Sequence, residues 1–201
     1  MKMTLSTLFV IAAAASAAAK GNASPFALLM LAGFAFAWAG DFILGRGDGS
    51  KLFLSGLASF FFTHVFYIAA TFFAAKHFFP SGPVITLSGI AVGFVAAALV
   101  VLLSVKRKAR FHGLLVPAAS YTAVLITMFA QACSLGIRLF AQSKAAIIFP
   151  LGAFFFVFSD VTLGMTRFRM HKKVFPFCAV CSVSYFVGQL LLALSLGFIV
   201  Y

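Results

Sequence analysis

The chain divides into seven apolar runs, near residues 3–19, 25–45, 52–75, 83–105, 112–134, 145–166 and 174–200, with only a few polar residues between them. About 20 apolar residues carry an α-helix across the hydrocarbon core of a bilayer, and a helix satisfies its own backbone groups there. The connectors carry helix-breaking and polar signals, among them "KGNASP", "GRGDGS" and "FPSGP". The pattern predicts an all-α, polytopic transmembrane bundle of about seven helices, forming one integral membrane domain over residues 1–201. Composition agrees, since 9% of residues are charged where a soluble domain carries about a quarter. The connectors leave no room for a soluble domain.

The charges orient this bundle. If seven helices make the connectors alternate sides, one side holds Lys2, Arg46, Lys51, Lys106, Arg107, Lys108, Arg110, Arg167, Arg169, Lys172 and Lys173. The other holds Lys20, Lys76, Arg138 and Lys144. The positive-inside rule then predicts a cytoplasmic N-terminus and an external C-terminus. The opening "MKMTLSTLFVIAAAASAAAKG" has the outline of a signal peptide, with cleavage near residues 17–19. The charge asymmetry works best with it retained, so it is read as the first membrane helix.

The net charge of +12 invites a nucleic-acid reading, but its basic residues sit in short connectors, where they meet lipid headgroups. No nucleic acid and no protein partner is predicted; the charges imply the bilayer as partner. Cys133, Cys178 and Cys181 lie within apolar runs. The Cys178–Cys181 pair has the spacing of a redox or metal motif, yet with no second pair these are read as small packing residues. Arg46-Gly47-Asp48 resembles an adhesion tripeptide but is read as a turn, with Asp48 solvated.

Two of the three acids remain, and both lie inside the membrane. Asp41, in "AWAGDFILG", is about five residues, roughly 7–8 Å, from the cytoplasmic end of the second run. Asp160, in "FFFVFSDVTLGMTRF", is about six residues, roughly 9 Å, from that of the sixth. An ionisable side chain at such a place is costly and marks a functional site by default. The structural alternative is a pair with Arg46 or Arg167. Two carboxyls close together in a low-dielectric cleft cannot both ionise cheaply, which sets an acid beside a carboxylate.

Other polar side chains line the same region. His64 and Tyr67 share a face of the third run at i, i+3 spacing, Tyr121 lies on the fifth, and Ser184, Tyr185 and Gln189 on the seventh. By residue counting His64 is deeper, at roughly 19 Å. A lone helix histidine is ordinarily a packing residue; the two acids make it a candidate. Tyr121 and Gln189 fit positioning better than chemistry. Asp41, Asp160 and His64 are a conceivable metal set, but no two share a helix, so the expectation is no metal and no cofactor.

The ordered set of "GDFIL" at 40–44, Phe53, Gly56, Phe60, His64 and Tyr67, then Pro117, Tyr121, Met128, "LGAFFFVFSD" at 151–160, Phe168 and "YFVGQLLLALS" at 185–195 resembles the YhhN-type lysoplasmalogenases, polytopic membrane hydrolases. The opening "KMTLSTL" is similar to that family's Lys-Pro-x-Thr-Thr stretch, which usually follows an additional helix that this chain is expected to lack. Met3 stands where the proline would be, and Ala37 where a serine often precedes the Gly-Asp pair. The resemblance implies hydrolysis of the vinyl ether bond of lysoplasmalogens, with ethanolamine or choline heads, to a fatty aldehyde and a glycerophospho-base. It further implies a site toward the cytoplasmic leaflet of a bacterial cytoplasmic membrane, or of the endoplasmic reticulum in a eukaryote.

Vinyl ethers hydrolyse by protonation of the β-carbon, giving an oxocarbenium ion that water captures. That chemistry needs a proton donor, a nearby negative charge and a positioned water. One of Asp41 and Asp160 would protonate the alkene while the other stabilises the cation and orients water. His64, Tyr67, Tyr121, Ser184, Tyr185 and Gln189 would bind or position the substrate. Arg46 and Lys51 would hold its phosphate, and the Phe-rich interior its chain. The competing readings are a proton-coupled small-molecule transporter using the same aspartates, and a structural or lipid-binding protein in which they lock two helices together.

Overall fold

Seven α-helices follow the seven apolar runs in the computed structural model: α1 (Lys2–Ala18), α2 (Pro25–Leu44), α3 (Ser50–Phe78), α4 (Gly82–Lys106), α5 (Leu115–Leu139), α6 (Ala145–Met165) and α7 (Phe175–Ser195). Residues 2–47, 49–79, 82–106, 113–140, 143–167 and 175–200 are described. Asp48, read as a solvated turn residue, lies outside them, as do Phe168 and the basic residues of the 107–110 and 169–173 connectors. Five of the helices, α2, α3, α5, α6 and α7, are long and apolar enough to cross a membrane, while α1 and residues 87–103 of α4 are shorter apolar stretches. The chain is a multi-pass membrane protein.

The helix ends differ from expectation for local reasons. Ser24 caps α2, accepting from the Ala27 N–H at 3.3 Å, with Pro25 in the first turn, where its missing N–H costs nothing. Helix α5 begins at Leu115 rather than near 112 and places Pro117 in its first turn, after Gly113 at φ +80°. It runs on to Leu139 because Leu135 and Leu139 are buried. Helix α3 spans 29 residues, about 43 Å, which exceeds the roughly 30 Å hydrocarbon core. Helix α7 stops at Ser195 instead of running to 200, its chain tightening through residues 196–199 with Leu196 and Gly197 N–H groups bonded three residues back.

Six helices close a ring in the order α1, α2, α3, α5, α6, α7, and α4 lies outside it against α3 and α5. Small residues let neighbouring backbones approach. A Cβ on Gly188 of α7 would lie 2.9 Å from both the Gly152 carbonyl oxygen and the Phe156 nitrogen of α6. Gly33 of α2 receives the ring of Tyr67, whose Cε1 would be 2.4 Å from such an atom. The ring interior is filled by Phe9, Phe34, Phe60, Tyr67, Phe156 and Tyr185, among others.

Far from the acids, the buried Asn22 side chain closes the ring. Its amide donates to the Leu196 and Ile199 carbonyls at 2.8 and 2.7 Å, and its oxygen accepts from Ser24 Oγ at 2.6 Å. The α1–α2 turn thus ties off the end of α7. Asn22→Ala is expected to lower stability in detergent by about 1–3 kcal/mol, the cost of buried acceptors left unmet. Ser143→Ala, which removes an exposed bond to the Phe198 carbonyl, should cost less than about 1 kcal/mol; equal losses would contradict this account of the junction.

Candidate active site

Asp41 sits one turn before the end of α2 and is 1% exposed. Neighbouring helices supply all its partners. Lys2 Nζ, from α1, is 3.1 Å from Oδ1; Ser6 Oγ, one turn along the same helix, donates to Oδ2 at 2.7 Å. The Tyr185 hydroxyl of α7 donates to the same oxygen at 2.8 Å. An ammonium and two hydroxyls all donate to this carboxylate, which meets the demand that a buried charge be paired and hydrogen-bonded.

The Tyr185 hydroxyl is itself held in place. The Tyr67 hydroxyl donates to Gln189 Oε1 at 3.1 Å, and Gln189 Nε2 donates to the Tyr185 oxygen at 3.3 Å. With the Gln189 amide oxygen turned to Tyr67, its nitrogen faces Tyr185. Tyr185 then has its hydrogen left for Asp41. Four buried side chains from α3, α7 and α2 thus form one directed chain ending on the carboxylate.

Asp160 is set differently. It lies five residues before the end of α6, with its side chain 10% exposed. The Tyr121 hydroxyl of α5 donates to Oδ2 at 2.5 Å, and His64 Nε2 of α3 lies 3.1 Å from the Tyr121 oxygen and 3.6 Å from the same carboxylate oxygen. Since Tyr121 spends its hydrogen on Asp160, its oxygen accepts from His64, which assigns the proton to Nε2. His64 Nδ1 is buried with no hydrogen-bond partner among the described residues. No Lys or Arg among the described residues pairs with Asp160.

These two sets flank a shared aromatic wall. The Phe156 ring, one turn before Asp160, lies 4.8 Å from the His64 ring and 5.4 Å from the Tyr185 ring, centroid to centroid. Phe60 touches Phe156 and Tyr185 from α3. Among the described residues no hydrogen bond joins the two carboxyls, and each has its own partners.

Residue counting overstated the depth of His64. Helix α3 starts at Ser50 and extends past the hydrocarbon thickness, so distance from its end is a poor measure of level within the bundle. The structure brings Asp160, Tyr121 and His64 together, and Asp41, Tyr185, Gln189 and Tyr67 together. Ser184 belongs to neither set, because its hydroxyl is spent on the Val180 and Cys181 carbonyls of its own helix. Arg46 is exposed, its guanidinium 4.3 Å over the Phe42 ring, and Lys51 is exposed beside it in sequence terms. Neither Arg46 nor Arg167 pairs with Asp41 or Asp160; Arg167 lies 4.6 Å over the Phe53 ring.

Lys2 and Ser6 were not singled out from the sequence. The usable signal was their i, i+4 spacing at the same side of the bundle as Asp41. Among the described residues no three His, Cys, Asp or Glu side chains gather, and Asp41 stands with Lys2 rather than with His64 and Asp160.

The sequence matches the family model described as the YhhN family over residues 1–196. The chain belongs to the YhhN family. The two acid-centred sets are therefore the buried polar architecture of a YhhN family member, built from six of its helices. No curated protein and no solved structure matches the chain.

The directed chain onto Asp41 has an energetic signature. Tyr67→Phe strands the Gln189 oxygen and Gln189→Leu strands the Tyr67 hydroxyl, so each should cost about 1–3 kcal/mol. The double variant removes both partners and should cost clearly less than the sum. Strict additivity in a thermal-unfolding cycle would show that the two side chains do not act together.

Proposed function

We propose that this YhhN family member is a lysoplasmalogenase-type hydrolase, cleaving the vinyl ether bond of lysoplasmenyl-ethanolamine or -choline to a fatty aldehyde and a glycerophospho-base. The observation that carries the reading is the contrast between its two buried acids. Asp160 has a tyrosine and a histidine able to pass protons, both on Oδ2, and partial exposure. Asp41 is a fully buried partner of an ammonium.

In this reading Asp160 delivers a proton to the β-carbon of the vinyl ether. The π electrons form the new C–H bond, and positive charge spreads over the α-carbon and the ether oxygen. Asp41 supplies fixed negative charge for that oxocarbenium ion, the electrostatic role that matters most in a water-poor site. Water adds to the α-carbon and loses a proton to the Asp160–Tyr121–His64 set. The resulting hemiacetal breaks its bond to the glycerol oxygen, which takes up a proton, and releases the aldehyde.

In this reading the alkenyl chain lies against the Phe-rich surroundings of the two acids, which Phe60 and Phe156 help to build. Lys2, Asp41 and Asp160 all lie toward the ends of their helices that adjoin the most basic connectors. The positive-inside rule therefore supports a site open to the cytoplasmic leaflet, with the N-terminus cytoplasmic and the C-terminus outside.

Purified protein in detergent, given lysoplasmenylethanolamine, is expected to release fatty aldehyde. Asp160→Asn and Asp41→Asn should each cut turnover by about 10²-fold or more, with folding checked by size-exclusion profile and thermal transition. Full activity in either variant sinks the assignment of that residue. Absence of aldehyde from the well-folded parent, with proton-coupled solute flux in sealed vesicles, would shift the function to transport.

A further inference from the structure

Lys2 bridges the outside of the bundle and its most buried charge. Its side chain is 45% exposed, yet its ammonium reaches a carboxylate whose own side chain is 1% exposed. A lysine presents a compact charge on a flexible four-carbon stem, so it can turn from Asp41 toward solvent without moving α1. Asp41 would not then be stranded, because Ser6 and Tyr185 still donate to it. Two other described cations near this end lie over rings, Arg46 over Phe42 and Arg167 over Phe53. Among the described residues Lys2 is the Lys or Arg side chain that pairs with an oxyanion, the chemistry it would meet again in a phosphodiester.

We propose that Lys2 reads the phosphodiester of the lysolipid, exchanging Asp41 for the phosphate as the substrate binds. The idea rests on the lysoplasmalogenase reading for the identity of the ligand, and it adds a specificity residue and a consequence. Lys2 distinguishes a lysophospholipid from a neutral alkenyl or alkyl glycerol of the same chain length. The exchange also removes the counterion from Asp41 only when a phosphate-bearing substrate is in place. Its negative charge then faces the developing oxocarbenium ion unshared, so recognition of the head group and stabilisation of the cation become one event.

Binding tests this without relying on turnover. The full-length protein in detergent is titrated with a saturated 1-O-alkyl lysophosphoethanolamine, which cannot be hydrolysed at a vinyl ether, and with the matching 1-O-alkyl glycerol, which lacks phosphate. The parent should prefer the phosphate-bearing ligand by about tenfold or more. Lys2→Met should reduce that preference about tenfold, and Lys2→Arg should keep most of it. The preference ratio is the decisive reading, because a merely structural lysine would weaken both ligands alike. An unchanged ratio in Lys2→Met, or an equal loss for both ligands, overturns the proposal. A Lys2-dependent ratio with no aldehyde from lysoplasmenylethanolamine leaves phosphate recognition standing and overturns the vinyl ether reading instead.

Discussion

A carboxylate in a hydrocarbon layer cannot be solvated by its surroundings, so the protein must bring the solvation to it. Asp41 receives an ammonium and a hydroxyl from α1 and a hydroxyl from α7. Asp160 receives a tyrosine from α5 with a histidine from α3 behind it. The two acids thereby involve all six helices of the ring, and the ring is the arrangement in which every one of those contacts can be made at once. Helix α4 contributes to neither set and lies outside.

The placement of those groups depends on backbone approach. Tyr67 reaches Gln189 because its ring lies over Gly33, and α6 meets α7 at Gly152 and Gly188, directly below Phe156 and Tyr185. A side chain at any of these glycines would push apart the helices that carry the acids and their donors. Aromatic packing then fills the interval between the two sets, which keeps each carboxyl with its own partners.

Much of this was legible in the sequence, because apolar run length and connector chemistry report helices directly. The scarcity of acids made Asp41 and Asp160 conspicuous, and His64, Tyr67, Tyr121, Tyr185 and Gln189 stood out as polar residues in apolar surroundings. Their grouping was less legible. Counting residues from a helix end put His64 deeper than the acids, and in the 29-residue α3 that count is a poor measure of level, since His64 lies 3.6 Å from Asp160. Lys2 was absorbed into the charge count that orients the bundle, which hid its pairing with Asp41. Ser184 looked like a site residue by position, but a serine in mid-helix often spends its hydroxyl on its own backbone, as this one does.

In the proposed reaction, protonation at carbon is followed by capture of an oxocarbenium ion by water, with the glycerol oxygen leaving from the hemiacetal. Hydrolysis of lysoplasmenylethanolamine in oxygen-18 water tests this directly by mass analysis of the glycerophosphoethanolamine product. The account predicts no label there, since the glycerol keeps its original oxygen. Label in the glycerophosphoethanolamine would mean that the bond on the glycerol side is the one cut, and would contradict the mechanism.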